Sequence, residues 1–76
     1  MEKLDRITID PNICLGQPTI RGMRITVSFV LKLLASNLSI AEIVASYPEL
    51  EPEDIQQALN YAAWVVSDQL IDIRSA

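Results

Sequence analysis

The spacing of apolar residues changes character near residue 26. Before that point, short β-type stretches alternate with turn formers: Ile7-Thr8-Ile9, and Thr19-Ile20 answered by Arg24-Ile25, lie among Pro11, Gly16, Pro18 and Gly22. Branched residues bounded by proline and glycine read as short strands and turns. Gly22 falls where the second stretch folds back. Glycine reaches positive φ without steric cost, so residues 19 to 25 are expected to form a hairpin. Beyond that point the apolar period becomes helical. Val27, Val30, Leu31, Leu34 and Leu38 make one stripe, with Thr26 or Ser28 as the N-cap, and Phe29 and Leu33 make a second stripe beside it. A helix apolar on two sides needs cover on both, which makes this the expected central element.

Ser39-Ile40-Ala41-Glu42 has the spacing of a capping box, in which hydroxyl and carboxylate satisfy backbone donors at a helix start. Ile40, Ile43, Val44 and Tyr47 continue the period. Pro48 ends this second helix near Ser46, because proline cannot continue a helix and biases the residue before it toward extended backbone. Glu51-Pro52-Glu53-Asp54 opens the longest helix, with proline preset in the first turn and acids at the positive end of the helix dipole. Its apolar face is expected to run Ile55, Leu59, Ala62, Ala63, Val66, Leu70 and Ile73, with Tyr61, Trp64, Val65 and Ile71 off that stripe. The pattern predicts one mainly α domain over residues 1–76, with strands and hairpin in 7–25, three helices in 26–73 and a helix-turn-helix outline at 40–66.

Length makes the core thin, since a chain of 76 residues buries only about 60% of the surface its unfolded form exposes. With 50% hydrophobic and 21% charged residues it is nonetheless far too apolar for a disordered tail. The lone Cys14 has no partner for an internal disulfide, and without histidine the usual nitrogen and sulfur ligands of a metal site are missing. No apolar run has membrane-spanning length and the opening residues lack signal-peptide character, so a cytoplasmic protein with no membrane contact is expected. No general base, metal set or cofactor loop is in view, so neither catalysis nor a small-molecule substrate is expected. Cys14 has no histidine to deprotonate it and reads as a small buried hydrophobe. Asp10 before Pro11 reads as a turn capped by its own side chain.

Net charge is −4, and it is unevenly spread. Residues 1–24 set Lys3, Arg6, Arg21 and Arg24 against three acids, whereas residues 25–76 set Lys32 and Arg74 against Glu42, Glu49, Glu51, Glu53, Asp54, Asp68 and Asp72. Arg21 and Arg24 flank Gly22 on the expected hairpin, where planar guanidinium groups could meet phosphates or a partner's carboxylates. The alternative is pairing with acids of the same domain. Gln56, Gln57 and Asn60, with Glu53, form a polar stripe on the third helix, and such amides suit adenine edges in a major groove. Against that, Glu51, Glu53 and Asp54 would face the phosphates at the helix start, and the stripe reads equally as a solvated face. Tyr61, Trp64 and Val65, with Phe29 and Leu33 on the first helix, are the candidate protein interface, because tyrosine and tryptophan are enriched at binding hot spots.

The run Ile7-Thr8-Ile9-Asp10-Pro11, then Cys14, Gly16-Gln17-Pro18-Thr19-Ile20-Arg21-Gly22-Met23-Arg24-Ile25, and later Tyr47-Pro48 and Asp54-Ile55, resembles the domain-of-unknown-function family 433 (DUF433) over residues 7 to about 63. The Gly-x-Pro-x-Ile-x-Gly-x-Arg-Ile segment is the most specific part. Met23 stands where the family usually has threonine, and Gln17 where lysine is common. The resemblance implies a homeodomain-like or winged-helix-like fold and an antitoxin-like role beside a PIN-like ribonuclease toxin. Two expectations of function follow. One is a homodimeric antitoxin-like regulator that binds such a toxin and operator DNA. The other is a protein-protein interaction module that binds no nucleic acid.

Overall fold

The computed structural model describes residues 4–67. Strand β1 (Ile7–Thr8) pairs antiparallel with β2 (Thr19–Ile20), Ile7 opposite Ile20 and Thr8 opposite Thr19. The Thr8 and Thr19 hydroxyls meet at 3.0 Å across the pair, a cross-strand threonine contact that helps set the register. The expected pairing of Thr19-Ile20 with Arg24-Ile25 shrinks to an isolated bridge between Thr19 and Thr26, with the Ile20 amide donating to the Ile25 carbonyl. The turn between them is tight: the Met23 amide donates to the Ile20 carbonyl at 2.8 Å, with Arg21 and Gly22 both at positive φ (47° and 71°). Positive φ at both central positions is the hairpin-turn geometry that the glycine signalled. Only one bridge fits because Thr26 already caps the next helix, so β1, brought back over the 9–18 loop, supplies the ladder instead.

Helix α1 (Val27–Ala35) starts with the Thr26 hydroxyl accepting from the Phe29 amide at 3.0 Å. It ends three residues before Leu38, where the apolar period suggested it would run on. Asn37 enters the left-handed region (φ 71°), the Leu38 amide donates to the Leu33 carbonyl and the Asn37 amide to the Leu34 carbonyl, which together make a Schellman stop. Helix α2 (Ile40–Ser46) carries the complete Ser39–Glu42 capping box and stops at the residue before Tyr47, as Pro48 requires. Helix α3 is described over Pro52–Ser67 and packs against α1, α2 and β1.

Ile20, Val27, Val30, Ile43, Leu50, Ile55 and Ala58 form the buried core, drawn from the sheet, all three helices and the α2–α3 turn. The inner face of α3 differs from the apolar stripe that periodicity suggested. Leu59 is 38% and Val66 63% exposed, whereas Asp54 and Gln57 lie inside beside Ile55 and Ala58, and Tyr61, Ala62 and Val65 continue that line half-buried. The helix is turned by about one position from a purely apolar reading because a carboxylate and an amide with interior partners occupy part of its core face. Leu70, Ile71 and Ile73 lie outside the described residues. No helix among the described residues is long and apolar enough to cross a membrane.

Candidate functional site

A polar cluster ties the N-terminal segment, the β2–α1 turn and the start of α3 together. Asp54, in the first turn of α3, has no solvent exposure. Its Oδ1 accepts from Arg6 Nη1 and Arg21 Nε, each at 3.0 Å, and its Oδ2 accepts from Arg21 Nη2 at 2.9 Å and the Glu51 amide at 2.8 Å. Arg21 therefore grips the carboxylate with two nitrogens, the fork-on-fork geometry that guanidinium favours. Burial pushes the Asp54 carboxyl up, but Arg21, the Glu51 amide and Arg6 outweigh it and hold the group below its ordinary value. The side-chain bonds to Glu51 and Asp54 raise Arg6, and that to Asp54 raises Arg21, so both stay charged at any working pH.

The same cluster extends through backbone and amide groups. Arg21 Nη2 also donates to the Glu49 carbonyl at 2.7 Å, and Arg6 reaches Glu51 and Glu53. Gln57, 7% exposed, accepts from the Arg6 amide through Oε1 and donates to Asp5 through Nε2, both at 2.9 Å. The Arg21 amide closes the set by donating to the Arg6 carbonyl at 2.8 Å. Among the described residues no buried side-chain nitrogen or oxygen lacks a hydrogen-bond partner. The arrangement is a structural clamp whose buried side-chain groups are all paired.

The sequence candidates divide accordingly. Of the polar set, Arg21 and Gln57 are engaged in the clamp, Arg24 and Gln56 are exposed, and Asn60 is half-buried with its side chain 3.5 Å from the Gln56 amide. The stripe of Gln56, Gln57 and Asn60 is thus split between inside and outside. Asp10 accepts from the Asn12 amide at 2.9 Å, the self-capped turn its sequence context suggested. Cys14 is half-buried in a 3-10 turn over Cys14–Gly16. Among the described residues no group of histidine, cysteine and carboxylate is placed to share a metal ion.

Of the apolar set, Phe29 stands edge-on to Tyr47 with ring centroids 5.4 Å apart, and Leu33 packs half-buried against the core. Tyr61, expected off the inner stripe, packs on the core as well, and its ring lies 6.1 Å from that of Trp64, which is 46% exposed. Val65 belongs to an open groove of about 300 Å³ between α1, Pro18 and the last described turns of α3. Pro18, Val27, Leu31, Tyr61 and Val66 line it with Val65, and Gln17 and Ser28 supply its few polar atoms. Sequence reasoning missed Arg6 and Asp54 as partners and missed the groove. The third helical position is a place where an acid reaches back to the helix start, a signal for Asp54 that says nothing of which arginines it meets.

The fold and the motif lead to the same relatives. A solved structure of similar shape, the crystal structure of a DUF433 member protein from Anabaena variabilis, aligns with a TM-score of 0.75 and 32% identity. The alignment covers 83% of this chain and 62% of that one, so the chain spans somewhat less than two thirds of its relative's length. No functionally curated protein matches the chain. With a family profile described as "Protein of unknown function (DUF433)" matching residues 7–62 and that relative sharing its fold, the chain belongs to the DUF433 family.

Proposed function

We propose that this chain is an antitoxin-like regulator that works by contact with a protein partner of the PIN-like ribonuclease class rather than by gripping DNA. The observation that carries this reading is the division of the surface: two of the polar candidates, Arg21 and Gln57, are engaged within the fold, while the Trp64 ring on α3 stays exposed. Arg21 holds Asp54 and Gln57 holds the Arg6 amide, which leaves Arg24 as the exposed arginine of the turn. DNA affinity grows with the number of phosphates met by lysine and arginine. Among the described residues the exposed cations outside the clamp are Arg24 and Lys32, which on a chain of net charge −4 offer little of that. Trp64, 46% exposed beside Tyr61, is by contrast the residue type that anchors protein interfaces. The choice of a ribonuclease as partner rests on the family resemblance, and an acidic regulator suits the basic cleft of an RNA-cutting enzyme.

The test is co-expression with the product of each neighbouring reading frame, followed by light scattering on the co-eluting species. The expected result is a stable complex with a small nuclease that is silenced in it, lost when Trp64→Glu is introduced. Tight operator binding by the isolated chain, with a steep loss of affinity as salt rises, would overturn the preference for protein contact.

A further inference from the structure

We infer that the arm formed by residues 4–9 exchanges between two copies of this chain, so that Arg6 of one copy closes the clamp on Asp54 of the other. Residues 10–17 join the arm to the body, and this hinge turns back under strain. Cys14, Leu15 and Gly16 stand in succession in the left-handed region, at φ 50°, 58° and 80°. Glycine adopts that conformation freely, whereas Cys14 and Leu15 each carry a steric penalty there. Packing returns little of it: Leu15 is 95% exposed, and Ile13 does not pack on the buried core. The backbone on either side is already extended, Ile13 at φ −123°, ψ 124° and Gln17 at φ −72°, ψ 152°. Pro11 and Pro18 bias the residue before each of them the same way. Straightening at residues 14–16 therefore makes the hinge one extended segment and removes its left-handed residues. A short hinge held under strain is the feature that invites exchange of an element between identical chains.

The contacts that hold the arm define what can take its place. They reach residues beyond the hinge: the Arg6 side chain meets Asp54 and Glu51, the Arg6 amide meets Gln57, the Arg6 carbonyl accepts from the Arg21 amide, and Ile7 and Thr8 pair with Ile20 and Thr19. The site thus requires an extended segment with a guanidinium aimed at a fully buried carboxylate and an isoleucine in register with Ile20. A second copy carries that segment as its own Arg6-Ile7-Thr8. Exchange breaks these contacts and remakes the same ones, so the balance between closed monomer and exchanged dimer falls to the hinge. A tethered arm meets its own site at an effective concentration in roughly the millimolar range. Straightening relieves Cys14 and Leu15 in each of two hinges, at roughly tenfold apiece. Against that, the Gly16 and Gln17 amides exchange the Ile13 and Cys14 carbonyls for water, at a modest net cost. The sum favours the dimer over the tethered arm's advantage and brings its dissociation constant into the micromolar range.

The test holds the isolated full chain at about 300 µM, far above a micromolar dissociation constant, and warms it close to its melting temperature so that the arms release. After cooling, the species are separated by size and weighed by light scattering. Monomer and dimer peaks are expected that interconvert slowly on dilution, since exchange must first undo the clamp. A cysteine pair reads the swap itself. The Thr8 and Thr19 hydroxyls lie 3.0 Å apart, so Thr8→Cys with Thr19→Cys, in a Cys14→Ala background that keeps a Cβ on the strained turn, brings two thiols together. Oxidised dimer should run as two linked chains on a non-reducing gel, and oxidised monomer as one. Leu15→Gly eases the closed turn and should weaken dimerisation roughly fivefold or more, because each dimer opens two hinges. Wild type and Leu15→Gly decide the matter by themselves where the cysteine pair impairs folding. A chain that stays monomeric throughout would overturn the inference, as would a dimer whose cysteine pairs close within single chains or a dimer fraction that Leu15→Gly leaves unchanged. None of these outcomes bears on complex formation with a nuclease, which is read by co-elution.

Discussion

Replacing Asp54 by alanine should be the most damaging single change among the described polar residues. The carboxylate is fully buried and accepts four hydrogen bonds, three from two guanidinium groups and one from the Glu51 amide. Removing one side of a buried ion pair costs about 3–5 kcal/mol. The low end applies here, since the Arg6 and Arg21 side chains keep 24% and 36% of their exposure and regain water when released. A loss of about 3 kcal/mol is a large share of the 5–15 kcal/mol that holds small domains together, and it corresponds to a fall in melting temperature of roughly 12–24 °C. Urea denaturation followed by far-ultraviolet circular dichroism at neutral pH measures it. The pH dependence checks the cause. Because folding lowers the Asp54 carboxyl below its ordinary value of 3.8, its contribution is complete above that value and disappears as pH falls through the folded value. The stability gap between wild type and Asp54→Asn should accordingly be widest at neutral pH and close below about pH 4. A melting temperature within a degree or two of wild type for Asp54→Ala, or a gap to Asp54→Asn that does not change with pH, would refute the clamp as a source of stability.

Two further outcomes test the local structure. Ser39→Ala removes the hydroxyl that accepts from the Glu42 amide at 3.1 Å and should cost about 1 kcal/mol, read as a lower urea midpoint. Leu15 is 95% exposed and held at φ 58°, so Leu15→Gly should relieve left-handed strain without losing burial. A gain of about 0.5–1 kcal/mol is expected, and a lower melting temperature would show that the side chain has a packing role.

The three helices were legible in the sequence because their signals are local. A threonine or serine before an apolar period, a glutamate three residues on and a proline at the next boundary set where α1 and α2 begin and where α2 stops, and each appears where those residues lie. The positive-φ turn at Gly22 was legible for the same reason. Local signals were less sufficient at the end of α1. Apolar periodicity carried the helix on to Leu38, whereas Asn37 in the left-handed region stopped it at Ala35.

What the tertiary structure alone decided is which polar groups lie inside. Periodicity assigns Asp54, Gln57 and Arg21 to the surface because each is costly to bury alone, and a sequence window shows no partner. Their partners lie 33 to 52 positions away, in Arg6, Asp5 and across the β2–α1 turn. Once the fold brings them together, each group is satisfied, burial becomes tolerable and α3 turns by about a position to accommodate them. That turn places Tyr61 and Val65 on the groove and leaves Leu59 and Val66 exposed. The sequence by itself determined the elements and their ends. The orientation of α3, and with it the surface left for a partner, depended on long-range polar pairing, whose stabilisation exists only when both sides are in place.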